Sequence, residues 1–237
     1  MEGSETWLLA CDLSGSRGLL VLEGRGRLFS RVLEGVVGAA SLFFLAREML
    51  EEAEISPRDL GLVGAARGPG AFTGVRTAVM AAKALGEVLG IPLVAPESLA
   101  VVATARGAVG HVFVVADARR GQVYYALYEV EEGPAGYFPL ALEGPGVASP
   151  RDAAASLCAW MEKLGEEIAV TGTGAEVYRE LLPAGARRED EGMLDPGRLA
   201  GLCRELYGRG ETVDPLHLEP LYLRYPDVGK RKGRGIG

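Results

Sequence analysis

The chain has 237 residues, 48% of them hydrophobic and 24% charged, which is typical of a globular protein with a core of its own. Its net charge of −7 argues against a primary role in nucleic-acid binding, because phosphate neutralisation needs clustered Lys and Arg. No apolar run reaches the roughly 18 residues of a membrane span, and the N-terminus lacks the pattern of a signal peptide, so we expect a cytoplasmic protein.

The first elements are predicted to form a three-stranded meander followed by a helix. Trp7 to Cys11 is a short apolar strand that ends at Asp12. Leu19 to Leu22 and Arg27 to Leu33 are the second and third strands, separated from their neighbours by turn residues. Apolar residues at spacings of three and four then predict a helix from Ser41 to Glu54.

A glycine-rich segment, Gly68 to Arg76, follows the buried strand Leu62 to Ala66 and turns it into a second helix. The segment lacks the Gly-Lys-Ser/Thr ending of a Walker loop, which argues against a phosphate cradle of that kind. The helix is predicted to begin at Thr73 or Gly74, with Thr73 as its cap, and to end near Leu89. It is apolar or small nearly all round, so a neighbouring helix or a second protein must cover another side.

The second half repeats the layout of the first, which predicts a duplicated α/β unit with a boundary near residues 107 to 110. His111 to Ala116 is a strand that ends at Asp117, and Val123 to Val130 is the returning strand. The Pro/Gly-rich stretch from Gly133 to Pro150 is predicted to be a loop. Four further elements follow: a helix from Ser149 to Leu164, a strand from Ile168 to Val170, a helix from about Ala175 through Leu182, and a helix from Pro196 to Tyr207.

Five motifs, in this order along the chain, resemble those of one protein family. They are Asp12-Leu-Ser14, Arg67-Gly-Pro-Gly-Ala-Phe-Thr-Gly-Val-Arg76, Asp117-Ala-Arg-Arg-Gly-Gln-Val-Tyr124, Gly172-Thr-Gly-Ala175 and Pro220-Leu-Tyr-Leu-Arg224. The set is similar to the TsaB (YeaZ) family of the actin, Hsp70 and sugar-kinase superfamily, and it spreads over residues 8 to 225. The chain departs from the family pattern at Leu13 and Ala71, where Thr and Ser are usual, and it lacks a His common near Val37 to Leu42.

The resemblance implies an α/β fold of two actin-like (ribonuclease H-like) lobes, each a mixed β-sheet with flanking helices. We expect an N-terminal lobe at 1–108 that carries the partner-binding helices, a C-terminal lobe at 109–225, and a basic, disordered tail at 226–237. The implied function is that of a non-catalytic subunit. It would bind the catalytic subunit TsaD in the complex that forms N6-threonylcarbamoyladenosine at tRNA position 37.

The same resemblance implies the other partners and the surface that binds them. TsaE, an ATPase, is the expected third component, the chain is expected to form a homodimer when alone, and tRNA is met only through the complex. Family members pair through the helix that follows the glycine-rich segment Gly68 to Arg76 and through the helix before it. The residues assigned to this surface are Phe44, Arg47, Glu48, Val75, Arg76, Val79, Met80 and Lys83.

A second group of residues marks the place where active members of the superfamily hold a metal–nucleotide. Arg119 and Arg120 follow the second aspartate where glycines would be expected, and they obstruct the approach of a phosphate. Aspartates that accept N–H bonds from their own turns are therefore the favoured interpretation. No cofactor is required by this chain, and ATP is expected only at the interface of the complex. The candidates for a vestigial nucleotide site are Asp12, Ser14, Asp117, Gly172 and Gly174.

The remaining residues show no pattern typical of a catalytic site. The two histidines, His111 and His217, are single and distant, and no Cys–His pair or zinc spacing is present. The three scattered cysteines favour buried, reduced thiols. The sequence thus predicts no catalytic residue and no metal site. The alternatives are an active small-molecule kinase or metallopeptidase-like enzyme of the same superfamily, and a stand-alone homodimer that stores the partner surface until TsaD competes for it.

Overall fold

The computed structural model describes residues 6–105, 107–183, 186–188 and 195–224. The predicted basic tail lies outside these residues. Within them the chain forms two five-stranded mixed sheets with flanking helices, which confirms the predicted fold class. None of the helices described is both long and apolar enough to cross a membrane.

The first sheet has the strand order β3-β2-β1-β4-β5, with β1 antiparallel to β2 and parallel to β4. Helices α1 and α2 lie on one of its faces, where their buried side chains share a core with alternate residues of the strands. The elements are β1 (Trp7–Asp12), β2 (Arg17–Gly24), β3 (Arg27–Glu34), α1 (Ala39–Ala53), β4 (Leu60–Ala65), α2 (Phe72–Leu89), β5 (Leu93–Val94) and α3 (Ser98–Ala105).

The second sheet repeats this topology in the order β8-β7-β6-β9-β10, with β6 antiparallel to β7 and parallel to β9. The duplicated layout predicted from the two Asp-terminated hairpins is therefore present in the strand order. The elements are β6 (Gly110–Asp117), β7 (Val123–Gly133), β8 (Gly136–Ala148), α4 (Pro150–Leu164), β9 (Ala169–Thr171), α5 (Thr173–Val177), β10 (Arg187–Arg188) and α6 (Pro196–Gly208).

The prediction of a loop between the second hairpin and α4 is wrong, because this stretch is the 13-residue strand β8. Among the described strands, β8 pairs with β7 alone and forms the edge of its sheet. An edge strand tolerates Pro139 and Pro145, since it has one side on which no ladder hydrogen bond is needed. The helix predicted through Leu182 is also shorter: α5 ends at Val177, and a 3-10 turn, Arg179–Leu181, follows it.

One core cluster joins the two lobes. It combines Leu8 and Val21 of the first sheet with Val112 of the second, and Leu199 and Cys203 of α6 pack in the same cluster. The predicted boundary near residue 108 falls between the strands of the two sheets. Because α6 returns to contact β1 and β2 as well as β8, the division of the chain into two sequence domains stays a prediction.

Residues 213–224, here called the strap, return the chain to the first lobe after α6. The N–H of Val213 donates to the carbonyl of Leu93 at 2.8 Å, and the N–H of Leu221 donates to the carbonyl of Arg67 at 2.7 Å. These bonds fix the strap beside the strand ends from which α2 and α3 begin.

The end of the strap connects the two lobes. The ring of Tyr222 stacks on that of Phe72, the first residue of α2, with 4.8 Å between their centroids. The guanidinium of Arg224 donates to the carbonyl of Ala118 in the second lobe, and it lies 3.4 Å from the carbonyl of Arg119. The Pro220 to Arg224 motif is therefore a structural link between the start of α2 and the turn after β6.

Candidate functional site

One side of α2 is exposed along the whole length of the helix. Met80 is 55% exposed and Val88 is 81% exposed. Side chains of this size are costly to leave in water, so a row of them marks a surface that can gain from being covered. The exposed residues recur at spacings of three and four, which puts them on one side of the helix: Thr73, Arg76, Met80, Ala84, Glu87 and Val88.

Helix α1 adds aromatic side chains to the same region. Leu42 is buried, whereas Phe43 is 38% exposed and Phe44 is 51% exposed, so the apolar run at the start of α1 does have an outward side. The guanidinium of Arg47 lies 5.2 Å from the centre of the Phe44 ring and also pairs with Glu51 at 3.4 Å. The exposed residues Phe43, Phe44, Arg47, Met80, Ala84 and Val88 are here called the α1–α2 face.

A small apolar cavity of about 20 Å3 lies beneath the two helices. Phe43 of α1 and Leu85 of α2 both line it, which shows that the helices approach each other here. Alongside them, the floor is made of apolar strand residues such as Leu9 and Val63. The helices that form the α1–α2 face are therefore packed on each other incompletely beneath that face.

Two of the predicted partner residues belong to the core instead. Val75 is 1% exposed and Val79 is 0% exposed, and both pack against the first sheet with α1. The prediction assigned them to the partner surface from the family resemblance, since the apolar pattern of α2 did not show which side faces its own sheet. The structure assigns these two positions to the side of α2 that faces its own sheet.

The other predicted partner residues reach the surface, but one of them is used by the chain itself. Arg76 is exposed and Glu48 is half-buried. The ammonium of Lys83 donates to the carbonyl of Leu218 at 3.0 Å and lies 3.4 Å from that of Leu216. Lys83 thus holds the strap against α2, and part of the second side of the helix is covered within the chain.

Three residues of the α1–α2 face were missed by the sequence reasoning: Phe43, Ala84 and Val88. A signal was available, because Met80, Ala84 and Val88 continue one another at spacings of four. The predicted set ended at Lys83, and two of the apolar residues that it took from α2, Val75 and Val79, are buried.

The two aspartates of the candidate nucleotide site make the same contact in their two lobes. An Oδ1 atom of Asp12 accepts the N–H of Ser14 at 2.8 Å, and that of Asp117 accepts the N–H of Arg119 at 2.9 Å. Each carboxylate therefore closes its own turn, as the sequence analysis favoured. In the second turn Arg119 has a φ of 64°, a left-handed conformation that this hydrogen bond helps to hold.

The carboxyl group of Asp12 is enclosed, with only 3% of the residue exposed. Burial raises the pKa of Asp12, and hydrogen bonds from Ser14 act in the opposite direction. A carboxylate in these surroundings is turned toward its own backbone. The carboxylate of Asp12 is thus buried and bonded to the turn that follows β1.

The glycine-rich segment that leads into α2 and the one that leads into α5 are here called the glycine corners. They lie beside the strand ends that carry Asp12 and Asp117. A Cβ on Gly74, in the first turn of α2, would stand 1.9 Å from the carbonyl oxygen of Leu13, and the N–H of Ala71 donates to the carbonyl of Ser14 at 2.7 Å. The N-cap of α2 is Ala71, with no side-chain bond, so the prediction that Thr73 caps the helix is wrong. The corner is sealed against the turn after β1.

The corresponding corner of the second lobe is closed in a similar way. A Cβ on Gly174 would lie 2.7 Å from the Val115 side chain, and Gly172 has a φ of 100° that favours glycine. The hydroxyl of Thr173 accepts the N–H of Asp117 at 3.0 Å. Gly172 and Gly174 therefore serve the packing of the corner onto β6.

Each of the two histidines lies beside a different carboxylate, in a different part of the chain. Nδ1 of His111 is 2.5 Å from the carboxylate of Glu166, and Nδ1 of His217 is 3.1 Å from that of Asp214. Across the described part of the chain, no group of three or more His, Cys, Asp or Glu side chains could hold a metal ion.

Comparison with protein families points to one area of RNA modification. The family model described as "TsaD: tRNA N6-adenosine threonylcarbamoyltransferase" matches residues 39–135. This stretch begins with α1 and includes the whole of α2. The match therefore contains both helices of the α1–α2 face.

Individual relatives agree with this result. The chain is 42% identical over 86 residues to the tRNA threonylcarbamoyladenosine biosynthesis protein TsaB of Bacillus subtilis, a match that covers 36% of this chain and only 38% of that protein. It is 27% identical over 188 residues to the protein of the same name from Escherichia coli, covering 76% and 78%. A solved Pseudomonas aeruginosa structure, described as similar to the peptidase YeaZ, superimposes with a TM-score of 0.78 at 28% identity, covering 92% of this chain and all of that one.

Proposed function

The chain belongs to the TsaB (YeaZ) family, and on that premise we propose that it is a non-catalytic subunit that binds TsaD. The relatives' names support a role in tRNA threonylcarbamoyladenosine biosynthesis. In this role the chain holds the catalytic subunit in the form that transfers threonylcarbamoyl to adenosine 37 of tRNA.

The α1–α2 face is the observation that carries the proposal. Protein interfaces are enriched in aromatic residues, Met and Arg at their centres, and Phe44, Arg47 and Met80 provide all three on adjacent helices. An exposed aromatic ring with an arginine over it can anchor a partner without refolding of the chain. The face is thus suited to a protein partner more than to a small substrate.

The choice of TsaD as partner rests on the extent of the family-model match. Residues 39–135 resemble TsaD itself, so TsaD is expected to carry counterparts of α1 and α2. Two related faces can meet about an approximate twofold axis, in the same way that a homodimer forms about an exact one. The same surface then explains a homodimer when the chain is alone, which TsaD replaces by competition.

The non-catalytic role is supported by how the candidate catalytic groups are used. Asp12 and Asp117 accept hydrogen bonds from their own turns, and the two histidines are in separate pairs with carboxylates. The proposal includes TsaE as the third component, ATP only at the interface of the complex, tRNA met through the complex, and a cytoplasmic location.

Co-purification with TsaD, with and without ATP, tests this function. We expect a stable pair, and we expect the chain alone neither to hydrolyse ATP nor to modify tRNA. Light scattering of the chain alone should report a dimer that gives way to the mixed pair when TsaD is added. Turnover by the chain alone that is lost in Asp12→Ala would contradict the non-catalytic role.

A further inference from the structure

The strap lies along one flank of α2 over most of the length of the helix. At the start of α2, the ring of Phe72 stacks on that of Tyr222. Farther along, the ammonium of Lys83 donates to a carbonyl of the strap, and a Cβ on Gly86 would stand 3.3 Å from Pro215. Since an α-helix has about 3.6 residues per turn, these three positions of α2 lie on the same flank.

Helix α1 occupies the opposite flank of α2. Ala81 and Leu85 of α2 line the small cavity together with Phe43 of α1. The exposed residues Met80 and Ala84 lie between the two flanks. The strap therefore borders the α1–α2 face, and the three elements form one continuous surface with α2 in the middle.

One leucine of the strap is held outward on an ordered backbone. Leu216 is 73% exposed, whereas Leu218 is 3% exposed and packs in the core of the first lobe. The N–H of Leu216 donates to Oδ1 of Asp214 at 2.8 Å, and its carbonyl oxygen lies 3.4 Å from the ammonium of Lys83. Because both backbone groups are fixed, little conformational freedom is lost when a partner covers the side chain.

The surroundings of Leu216 are acidic. Asp214 and Glu219 are exposed on the strap itself. Glu87 is exposed on α2, one turn beyond Lys83, and the ammonium of Lys83 is directed at the strap carbonyls. A partner that complements this surface has an apolar pocket edged by Lys or Arg side chains. The strap of a second copy is acidic as well, so it does not supply that edge.

We propose that the strap is a third element of the surface that binds TsaD, with Leu216 inserted into an apolar pocket of TsaD that is edged by basic side chains. Stable protein interfaces use about 20–30 residues on each side, and the α1–α2 face alone contains fewer. A partner that covers this face reaches the strap across α2. The choice of TsaD as the partner rests on the proposed function.

Calorimetric titration of TsaD into variants of the full chain tests the inference. Leu216→Glu places a carboxylate in the proposed contact, and Leu216→Ala removes the apolar side chain with less change to the surface. Leu28→Glu is the matched control, because Leu28 is 50% exposed on β3. Circular dichroism checks that each variant is folded. We expect TsaD to bind Leu216→Glu at least about tenfold more weakly and Leu216→Ala a few-fold more weakly, with the control unchanged.

A second pair of variants tests the basic edge of the pocket. Glu87→Gln combined with Glu219→Gln should weaken TsaD binding a few-fold at low salt. The difference from the unmodified chain should shrink at high salt, because salt screens attraction between exposed charges. Glu131→Gln combined with Glu132→Gln removes two exposed carboxylates from β7 and is the control. Equal affinities of the two double variants at every salt concentration would contradict a basic edge on TsaD.

The inference and the proposed function fail in different ways. Unchanged TsaD affinity of both Leu216 variants, alongside weaker binding of Met80→Glu, would overturn the inference and leave the proposed function in place. Loss of the homodimer in Leu216→Glu with unchanged TsaD affinity would also overturn it, because the strap would then meet a second copy. If the proposed function itself is wrong, the unmodified chain does not bind TsaD.

Discussion

The two lobes share a strand order but differ in the helix that follows the fourth strand of each sheet. In the first lobe the glycine corner after β4 opens α2, with 18 residues, whereas in the second lobe the corner after β9 opens α5, with five. Each corner lies against the end of the first strand of its sheet, through a backbone bond to Ser14 in the first lobe and through the Thr173 hydroxyl in the second. The two lobes thus share one sheet topology. The longer helix of the first lobe, α2, provides the surface that we propose binds the partner.

The largest expected effect is that of Gly74→Ala in the first corner. The new Cβ would stand 1.9 Å from the backbone oxygen of Leu13, so the turn after β1 would have to move. Overpacking costs about 1–3 kcal/mol and sometimes more, and with a backbone obstacle we expect a loss of at least about 3 kcal/mol of unfolding free energy. Urea unfolding measures this loss.

The second corner provides the comparison. Gly174→Ala would bring a Cβ to 2.7 Å from the Val115 side chain and 3.0 Å from its carbonyl oxygen, and we expect a smaller loss of about 1–3 kcal/mol. Gly208→Ala is the control, because its Cβ would meet nothing within 4 Å. Equal stabilities of the Gly74 and Gly208 variants would show that the first corner is not closed as described.

A smaller effect is expected from Asp12→Asn. Burial raises the pKa of Asp12 above its unfolded value, so the folded protein favours the protonated carboxyl and loses stability when it ionises. That loss is absent below the unfolded pKa of about 4 and is complete above the folded pKa. The variant should therefore have a higher Tm at pH 7, and the gain should disappear toward pH 3.

Asp117→Asn is the matched change in the second lobe, where the side chain is 21% exposed. It should shift the Tm at pH 7 by less than Asp12→Asn does. A lower Tm of Asp12→Asn at pH 7 would contradict the raised pKa of Asp12, because it would mean that the ionised carboxylate stabilises the folded protein.

A further prediction concerns chemical labelling of the cysteines, which needs no substitution in the chain. Cys11 and Cys203 are buried as the sequence predicts, whereas Cys158 is exposed on α4 of the second lobe, which corrects the prediction for that residue. Burial raises the pKa of Cys11 to about 12 and raises that of Cys203 as well. At pH 8 a thiol reagent should therefore modify one thiol in the native chain and three in denaturant. Rapid reaction of all three in the native chain would show that the cores around Cys11 and Cys203 open.

Local patterns in the sequence were enough to predict the two hairpins and the part that each aspartate plays. Asp12 and Asp117 stand directly after apolar strands and before turn residues, and a hydrogen bond of this kind forms within two residues. The repetition of that unit predicted a duplicated α/β fold, and the family resemblance implied that its two lobes are actin-like. These features depend on residues that are close together in the chain, so local sequence patterns are enough to predict them.

Features that depend on distant residues were not predictable in this way. β8 reads as a loop because of Pro139 and Pro145, and only its position at the sheet edge explains them. The sequence around Lys83 predicts a surface residue. In the structure Lys83 contacts the strap, which lies more than 130 residues later in the chain. In the same way, an all-round apolar helix does not reveal that Val79 faces its own sheet.

The affinity of TsaD for single-charge variants of the two lobes tests the central claim most directly. Met80→Glu and Phe44→Glu place a carboxylate on the α1–α2 face, and Val177→Glu places one on α5, where the side chain is 61% exposed. All three positions are exposed, so the variants should fold. We predict that calorimetric titration finds TsaD binding at least about tenfold weaker for the first two and unchanged for Val177→Glu. Equal affinities of all three variants and the unmodified chain would contradict the claim that this chain binds TsaD through the first lobe.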